Sequence, residues 1–351
     1  QIIVSTITNS GRAIAEREQS SFAAITYLPY DLPGSVRRAL ARIRPDVLVL
    51  EYTELWPQLI HSAAARSVPV VLHNGRFSAN NLGRYRALFA LVGNLLERMA
   101  ALLMRDSHEA DRALALGASA DRIHVTGNTK FDSLRVELPN EQVSSLRTAA
   151  AFDDEHVVWV MGSTHEGEEE LLLDVFAQLR QDFPMLRAII APRYTDRAER
   201  VRGLAQRRNL RVRLRSDESA EATDIFILNT IGELAACYAI ADLVFVGGSF
   251  VERGGQNILE PAVCGKPVLF GPHMENFADS VQVLLGRGGI QAAHASQLTR
   301  VMRELLERPD YRRDLGQMAR QRVTAVRGAA ARNARLILDL LPEGRASAGE
   351  N

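Results

Sequence analysis

Apolar residues in this chain come in short continuous blocks, and stretches of helical periodicity fill the intervals between them. In the first half the blocks QIIVST (1–6), DVLVLE (46–51), VPVVLHN (68–74) and RIHVTGN (122–128) predict strands, while the stretches around 33–42, 56–66 and 82–103 predict helices. Strands apolar on both faces need helices on both faces, which predicts a parallel α/β sheet. A polar stretch, SLRVELPNEQVSSLRTAA, then reads as linker and lead-in helix, and a second set of strands follows at 156–163, 186–193, 210–215, 223–229, 242–249 and 267–272. All but the third end at Gly, Pro, Ser, Asn or Arg, where the chain turns outward. Ligands of open parallel sheets sit at such carboxyl ends. The region from about 296 to 342 predicts helix, with Pro309 opening one segment. The expected architecture is two Rossmann-like domains facing a cleft, at 1–135 and 153–330, with a linker and lead-in helix at 136–152 and a C-terminal helix and tail at 331–351.

Composition agrees with two cores. The chain has 351 residues, 46% of them hydrophobic, which is enough for about two domains. Lys plus Arg and Asp plus Glu number 42 each, so no overall field draws the protein to nucleic acid or to a membrane. The basic run Arg211–Ser216 reads as a solvated strand edge or as a contact for anionic lipid. No apolar run reaches the roughly 20 residues of a bilayer span. Cys237 and Cys264 both lie in apolar surroundings and read as buried free thiols of a reducing compartment. An NAD enzyme is disfavoured, because no G-x-G-x-x-G follows an early strand.

The densest candidate chemistry runs from Gly247 to His273. Glu260 is a carboxylate in apolar surroundings, and burial without partners is costly. Paired ribose hydroxyls would satisfy it bidentately; a capping role is the alternative. The Gly254–Gly255 pair is read as letting its helix approach a ligand, with Gln256 and Asn257 as amide donors to sugar or phosphate. His273 and Asn276 follow the next strand and face the same mouth. In GSTHEGEE, Ser163 and Thr164 are placed as caps of a helix whose first turn holds Glu166 and Gly167, and its free amides would bind an anion. His165 is either a donor to that anion or a surface residue. Arg193 can hold a phosphate or carboxylate through its fork of donors, or make a structural salt bridge. Gly232 and Glu233 open the next helix; Gly232 would expose backbone to a base or phosphate, and Glu233 would favour the helix start electrostatically.

In the first domain, Glu51 and Glu54 flank a strand end beside Trp56 and Pro57 and can do acid–base work, or Glu54 partners a Glu51 cap. Asn74, Arg76 and Ser78 form a donor cluster at the next strand end, with Arg76 suited to an acidic sugar or phosphate. Gly127, Asn128 and Lys130 close the last strand, and Lys130 is expected to point into the cleft.

Taken in order, YLPYDLPG, EYTELWP, NGRFS, VTGNTKFD, GSTHEGEE, APR, GELAACYAIAD, VGGSFVERGGQNILEP and GKPVLFGPHMENF resemble the 3-deoxy-D-manno-octulosonic acid (Kdo) transferase family of lipopolysaccharide synthesis, from about Tyr27 to Phe277. These are two-domain glycosyltransferases of the B type (GT-B). The resemblance implies inverting transfer of Kdo from CMP-Kdo to a lipid A precursor resembling lipid IVA, without metal or other cofactor. It implies peripheral work at the cytoplasmic face of the bacterial inner membrane, against anionic lipid, with no nucleic acid partner. Glu260 then resembles the ribose ligand. Ser163, Thr164, Arg193, Gly232, Glu233, Asn257 and His273 resemble the wall around cytidine, phosphate and sugar carboxylate, and Glu54 and Arg76 fall on the acceptor side. Tyr52, Gly75 and Phe77 depart from the family pattern but leave its polar residues in place. The family's membrane-associated stretch and its strand–helix unit, whose Gly-Glu turn supplies the base, are expected ahead of QIIVST. Without that central strand, two ladder edges would lie open and nucleotide binding would outlast transferase activity. Two other readings stand beside this one: an inactive nucleotide-binding homologue, and a GT-B enzyme that uses a UDP-sugar.

Overall fold

The computed structural model describes residues 1–132, 134, 140–218 and 221–342. The chain divides into one unit formed by Gln1–Thr129 with the segment from Gly328 onward, and a second formed by Lys130–Arg327. The division precedes the expected one at 135 because Phe131 and Leu134 already join the second unit's core. It precedes 330 because the last helix packs on the first unit's sheet.

The first unit runs β1 (Ile3–Thr6), α1 (Asn9–Arg17), β2 (Ala24–Tyr27), α2 (Pro33–Ile43), β3 (Leu48–Glu51), α3 (Pro57–Ala64), β4 (Val70–Gly75), α4 (Leu82–Val92), β5 (Ala101–Met104), α5 (Ser107–Ala115) and β6 (Ile123–Val125). The second runs α6 (Asn140–Ala150), β7 (Val157–Thr164), α7 (Glu168–Asp182), β8 (Leu186–Pro192), α8 (Ala198–Gln206), β9 (Val212–Leu214), β10 (Ile225–Ile227), α9 (Leu234–Ile240), β11 (Leu243–Val246), α10 (Leu259–Val263), β12 (Val268–Phe270), α11 (Ala278–Leu284), β13 (Gly289–Gln291), α12 (Ala295–Glu307) and α13 (Pro309–Val326). The closing helix, α14 (Ala329–Leu338), belongs to the first unit.

Three strands escaped the periodicity reading. The stretch 82–103 is not one helix: α4 stops at Gly93, whose φ of +81° continues no helix, and β5 follows. β5 is only four residues long, buried throughout, and its apolar run merges with that of the preceding helix. β2 and β13 are short strands with mixed burial and carry no continuous apolar block.

All strand pairs are parallel. The first unit has a two-stranded sheet, β1-β2, and a four-stranded sheet, β3-β4-β5-β6; among the described residues β1 pairs only with β2, and β3 only with β4. One face of the larger sheet packs Leu50, Val70, Leu72, Leu102 and Met104 against helices α2 to α5. The opposite face, Val71, Ala101 and Leu103, is covered by Leu336, Ile337 and Leu340 of the returning C-terminal segment. The alternation follows from the period of two in a strand.

The second unit is a seven-stranded sheet in the order β13-β12-β11-β7-β8-β10-β9. Along its strands, Val158, Val160, Phe226, Val244, Val246 and Phe270 face helices α6, α9, α10 and α13. The alternate positions Trp159, Met161, Ile225, Ile227, Phe245 and Leu269 face α7, α8 and α12. Both faces are therefore dry, as continuous apolar strands require. Cys237 is a fully buried free thiol whose pKa burial pushes up, and Cys264 is free and half-buried. From β7 the chain moves outward to β8 and beyond, then returns to place β11 on the other side of β7. The switch point lies between β7 and β11, and ligands of such sheets bind outside the carboxyl ends there.

Truncating the fully buried Leu103 to Ala is expected to lower unfolding free energy by about 2–5 kcal/mol. In urea melts, a double-mutant cycle with Leu336→Ala should then show coupling, because both side chains belong to one small apolar cluster.

Candidate functional site

At the switch point the backbones of β7 and β11 nearly touch. A Cβ on Gly247 would stand 2.5 Å from the carbonyl oxygen of Ser163 and 2.6 Å from Cα of Thr164, so only glycine fits. This approach gathers a row of backbone N–H groups, and the fully buried Glu168 receives them. Its Oε1 accepts from Ser249 (2.9 Å) and Phe250 (2.8 Å), and its Oε2 from Gly248 (2.7 Å) and His165 (3.0 Å). Beside it the buried Glu169 pairs with Arg197 at 2.5 Å.

That arrangement changes the expected anion site. The His165 amide, just ahead of α7, is occupied by the protein's own carboxylate. Ser163 and Thr164 do not cap α7; β7 runs through both, and Gly167, with φ of +94°, takes the N-cap position. Glu166 and Gly167 precede the helix, and Glu166 pairs with Arg197 and Arg200. Thr164 is fully buried and its hydroxyl donates to Glu169. Ser163 stands half-buried with φ of +56°. His165 is buried, its Nδ1 donating to the Ser163 carbonyl at 3.0 Å, and its ring meets Tyr194 edge-on.

Glu260 is the second residue of α10, with its carboxylate open to solvent on apolar ground. Burial by its surroundings raises its pKa, against the lowering effect of a 3.0 Å hydrogen bond from Asn257 Nδ2. Asn257 Oδ1 accepts from the Leu259 amide. Both ends of the Asn257 side chain thus serve to fix Glu260 and the helix start, which leaves the second N–H of its amide for a ligand. Behind Glu260 lies the buried Tyr238; a Cβ on Gly162 would stand 2.2 Å from its hydroxyl. The glycine pair has a different use from the expected one. Cβ atoms on Gly254 and Gly255 would strike Asn276 Nδ2 at 2.2 Å and Met274 Sδ at 2.3 Å, so these glycines let their loop lie on the segment after β12. Gln256 is half-buried in the same loop. His273 donates its amide to Ser249 and holds its ring 3.6 Å from Glu275.

Arg193 is exposed at the end of β8, its guanidinium 6.0 Å from the centre of the Tyr194 ring. It meets no carboxylate among the described residues, which removes the salt-bridge reading. Gly232, with φ of +93°, is exposed in a turn rather than in a helix, since α9 starts at Leu234. Glu233 stands at the N-cap position but accepts from Arg215 and from the Thr230 hydroxyl.

In the first unit, Glu51 pairs with His73 at 2.5 Å and Glu54 accepts from the Trp56 indole at 2.6 Å. Asn74 is buried, with φ of +50°, and its amide bonds Thr129 at both ends; it positions a loop and offers no donor. Arg76 and Ser78 are exposed. Lys130 pairs with Asp279 at 3.5 Å and covers the Phe131 ring.

Comparison with known proteins decides the family. Residues 1–133 match the family model described as 3-deoxy-D-manno-octulosonic-acid transferase (kdotransferase), and residues 151–322 match the model of glycosyl transferases group 1. The chain is 31% identical to the 3-deoxy-D-manno-octulosonic acid transferase of Haemophilus influenzae, over 97% of this chain and 79% of that one. It is 32% identical to the transferase of that name from Bordetella pertussis, over 97% of this chain and 81% of the other. The chain belongs to the Kdo transferase family. As a family member it is a glycosyltransferase that depends on a CMP-sugar. Solved structures agree on fold. A glycosyltransferase from Rickettsia africae has TM-score 0.60 at 12% identity, covering 96% of this chain and 89% of its own. A UDP-GlcNAc 2-epimerase from Neisseria meningitidis bound to UDP-GlcNAc has TM-score 0.58 at 14% identity, covering 95% and 92%. The two Rossmann-like units of this Kdo transferase family member are thus of the GT-B-like kind.

Sequence reasoning missed Glu168, Glu169 and Tyr238. The acidic run after Gly167 reads as a favourable charge at a helix start, which hides that Glu168 and Glu169 are buried. A signal was present: a Gly-Gly-Ser turn after a buried strand exposes several amides that need acceptors. Glu168→Gln keeps the shape but turns one acceptor oxygen into a donor facing backbone N–H groups. Urea unfolding should show a loss of about 2–5 kcal/mol.

Proposed function

We propose that this protein transfers 3-deoxy-D-manno-octulosonate, with inversion, from CMP-Kdo to a lipid A precursor. The observation that carries the reading is Glu260: an ionisable carboxylate with no cation paired to it among the described residues, held by Asn257 at the carboxyl end of a parallel sheet. A group in that state is completed by neutral donors, and the paired hydroxyls of a ribose are such donors. Arg193 supplies positive charge for an anionic part of the donor. As the acceptor hydroxyl attacks the anomeric carbon, CMP departs with the bonding electrons, and stabilising its phosphate is the main electrostatic task. On the acceptor side we assign Arg76 to an anionic group of the acceptor. Glu54, whose carboxylate accepts from the Trp56 indole, is the carboxylate assigned to the acceptor proton in this reading. No helix among the described residues is long and apolar enough to cross a membrane, and we assign peripheral contact with anionic lipid at the cytoplasmic face of the inner membrane.

The direct test is CMP release from CMP-Kdo in the presence of a tetraacylated lipid A precursor, with UDP-sugars in competition. Acceptor-dependent CMP release supports the reading. Turnover of UDP-sugars alone overturns it, and CMP binding without turnover points to an inactive homologue.

Glu260 adds a pH signature. Its ionised form is the one that accepts ribose hydroxyls, and its pKa in the folded protein is raised, so CMP affinity should fall as pH drops through a value above the ordinary glutamate range. Glu260→Gln should weaken CMP about 10- to 100-fold and flatten that pH dependence. A raised folded pKa means that the ionised carboxylate costs stability at neutral pH. The same substitution should therefore leave the melting temperature unchanged or raise it.

A further inference from the structure

The switch point of the second sheet poses a charge problem. The amides of Gly248, Ser249, Phe250 and His165 all point at Glu168, so these four cannot receive an anion. Side chains are the further source of positive charge at this end. Several arginines at this end of the sheet are already held: Arg197 by Glu169 and Glu166, Arg200 by Glu166, and Arg215 by Glu233. Two are not. Arg193 follows β8, and Arg253 lies in the loop after β11; both are exposed, and neither meets a carboxylate among the described residues.

Both unpaired arginines adjoin one buried residue, His165. Gly248, with φ of +68°, is the contact on the Arg253 side: a Cβ there would lie 3.2 Å from His165 Cε1, 3.3 Å from its Nδ1 and 3.5 Å from Arg253 Cβ. On the other side His165 meets the Tyr194 ring, over which Arg193 lies. Arg193 and Arg253 thus branch from the chain on either side of His165, next to the end of β7. Two unpaired arginines beside one strand end suit a ligand that brings the counter-charge.

We propose that Arg253 joins Arg193 in an anion subsite for the sugar-nucleotide donor, binding one of its planar oxyanions, the phosphate or the sugar carboxylate. This rests on the donor reading given above, and the experiment separates the two. Binding of CMP, which has the phosphate alone, and of freshly made CMP-Kdo, which has both groups, is measured by calorimetry for the wild type, Arg253→Gln, Arg253→Lys and, as a paired arginine at the same end, Arg200→Gln. Arg253→Gln should weaken donor binding about 10- to 100-fold with an unchanged melting temperature. Arg253→Lys should recover only part of the loss, since lysine lacks the bidentate fork. Equal losses for CMP and CMP-Kdo place Arg253 on the phosphate; a loss for CMP-Kdo alone places it on the carboxylate. If Arg253→Gln binds both as the wild type does, or if Arg200→Gln weakens them as much, the subsite is overturned while the functional reading stands. If the wild type binds neither compound, the functional reading falls and the subsite with it.

Discussion

The second unit depends on one buried carboxylate. Glu168 lies at the first position of α7 and accepts from four backbone amides on the ends of two adjacent strands. Without it, four N–H groups would be left in a dry place, each at a cost comparable to a lost hydrogen bond. With it, the start of α7, the end of β7 and the turn after β11 form one piece. The loop that carries Arg253, Gln256 and Asn257 departs from that piece, and its glycines press it onto Met274 and Asn276. The same carboxylate removes the anion-binding capacity that a glycine-rich turn beside a helix start usually has. Rigidity at the switch point is obtained by giving up the backbone as a ligand.

Both units place strained backbone where their polar groups collect. Tyr52 and Asn74 follow or end β3 and β4 with φ of +51° and +50°, and Ser163 stands near the end of β7 with φ of +56°. None is glycine, so each costs free energy that the surroundings must hold. Asn74 shows how: its side chain bonds Thr129 twice. Asn257 plays the same part for Glu260. Two asparagines that read as ligand donors also brace neighbouring groups.

The long apolar blocks were legible because burial on both faces leaves an unbroken signal, and β7 and β11 were placed to within three residues. β5 was not, because a helix ending at a glycine and a four-residue buried strand share one apolar run. The site was legible in its residue types and less so in its bonds. Sequence shows that Glu260 is a carboxylate in apolar company; it does not show that Asn257 is already committed to it. It shows acidic residues at the start of α7, but not that Glu168 turns inward while Glu166 stays out with its arginines. Such choices are made by partners distant in the chain, and Glu168 meets residues about eighty positions away.

The polarity of what remains uncommitted constrains the ligand more tightly than any single residue does. Two other carboxylates of the unit are met by cations, Asp224 by Arg180 and Arg211 and Glu169 by Arg197, while Glu168 is met by backbone amides. Glu260 has no cation among the described residues, and Arg193 and Arg253 lack carboxylates. Were these groups meant only to stabilise the fold, pairing a lone acid with a lone arginine would have been the cheaper arrangement, since an unpaired charge in apolar surroundings is disfavoured. Holding them apart favours a ligand that carries hydrogen-bond donors at one end and oxyanions at the other. A sugar nucleotide has that polarity, with ribose hydroxyls to meet the carboxylate and phosphate beyond to meet a guanidinium. An acidic sugar adds a second oxyanion, which gives a second unpaired arginine a reason to be there.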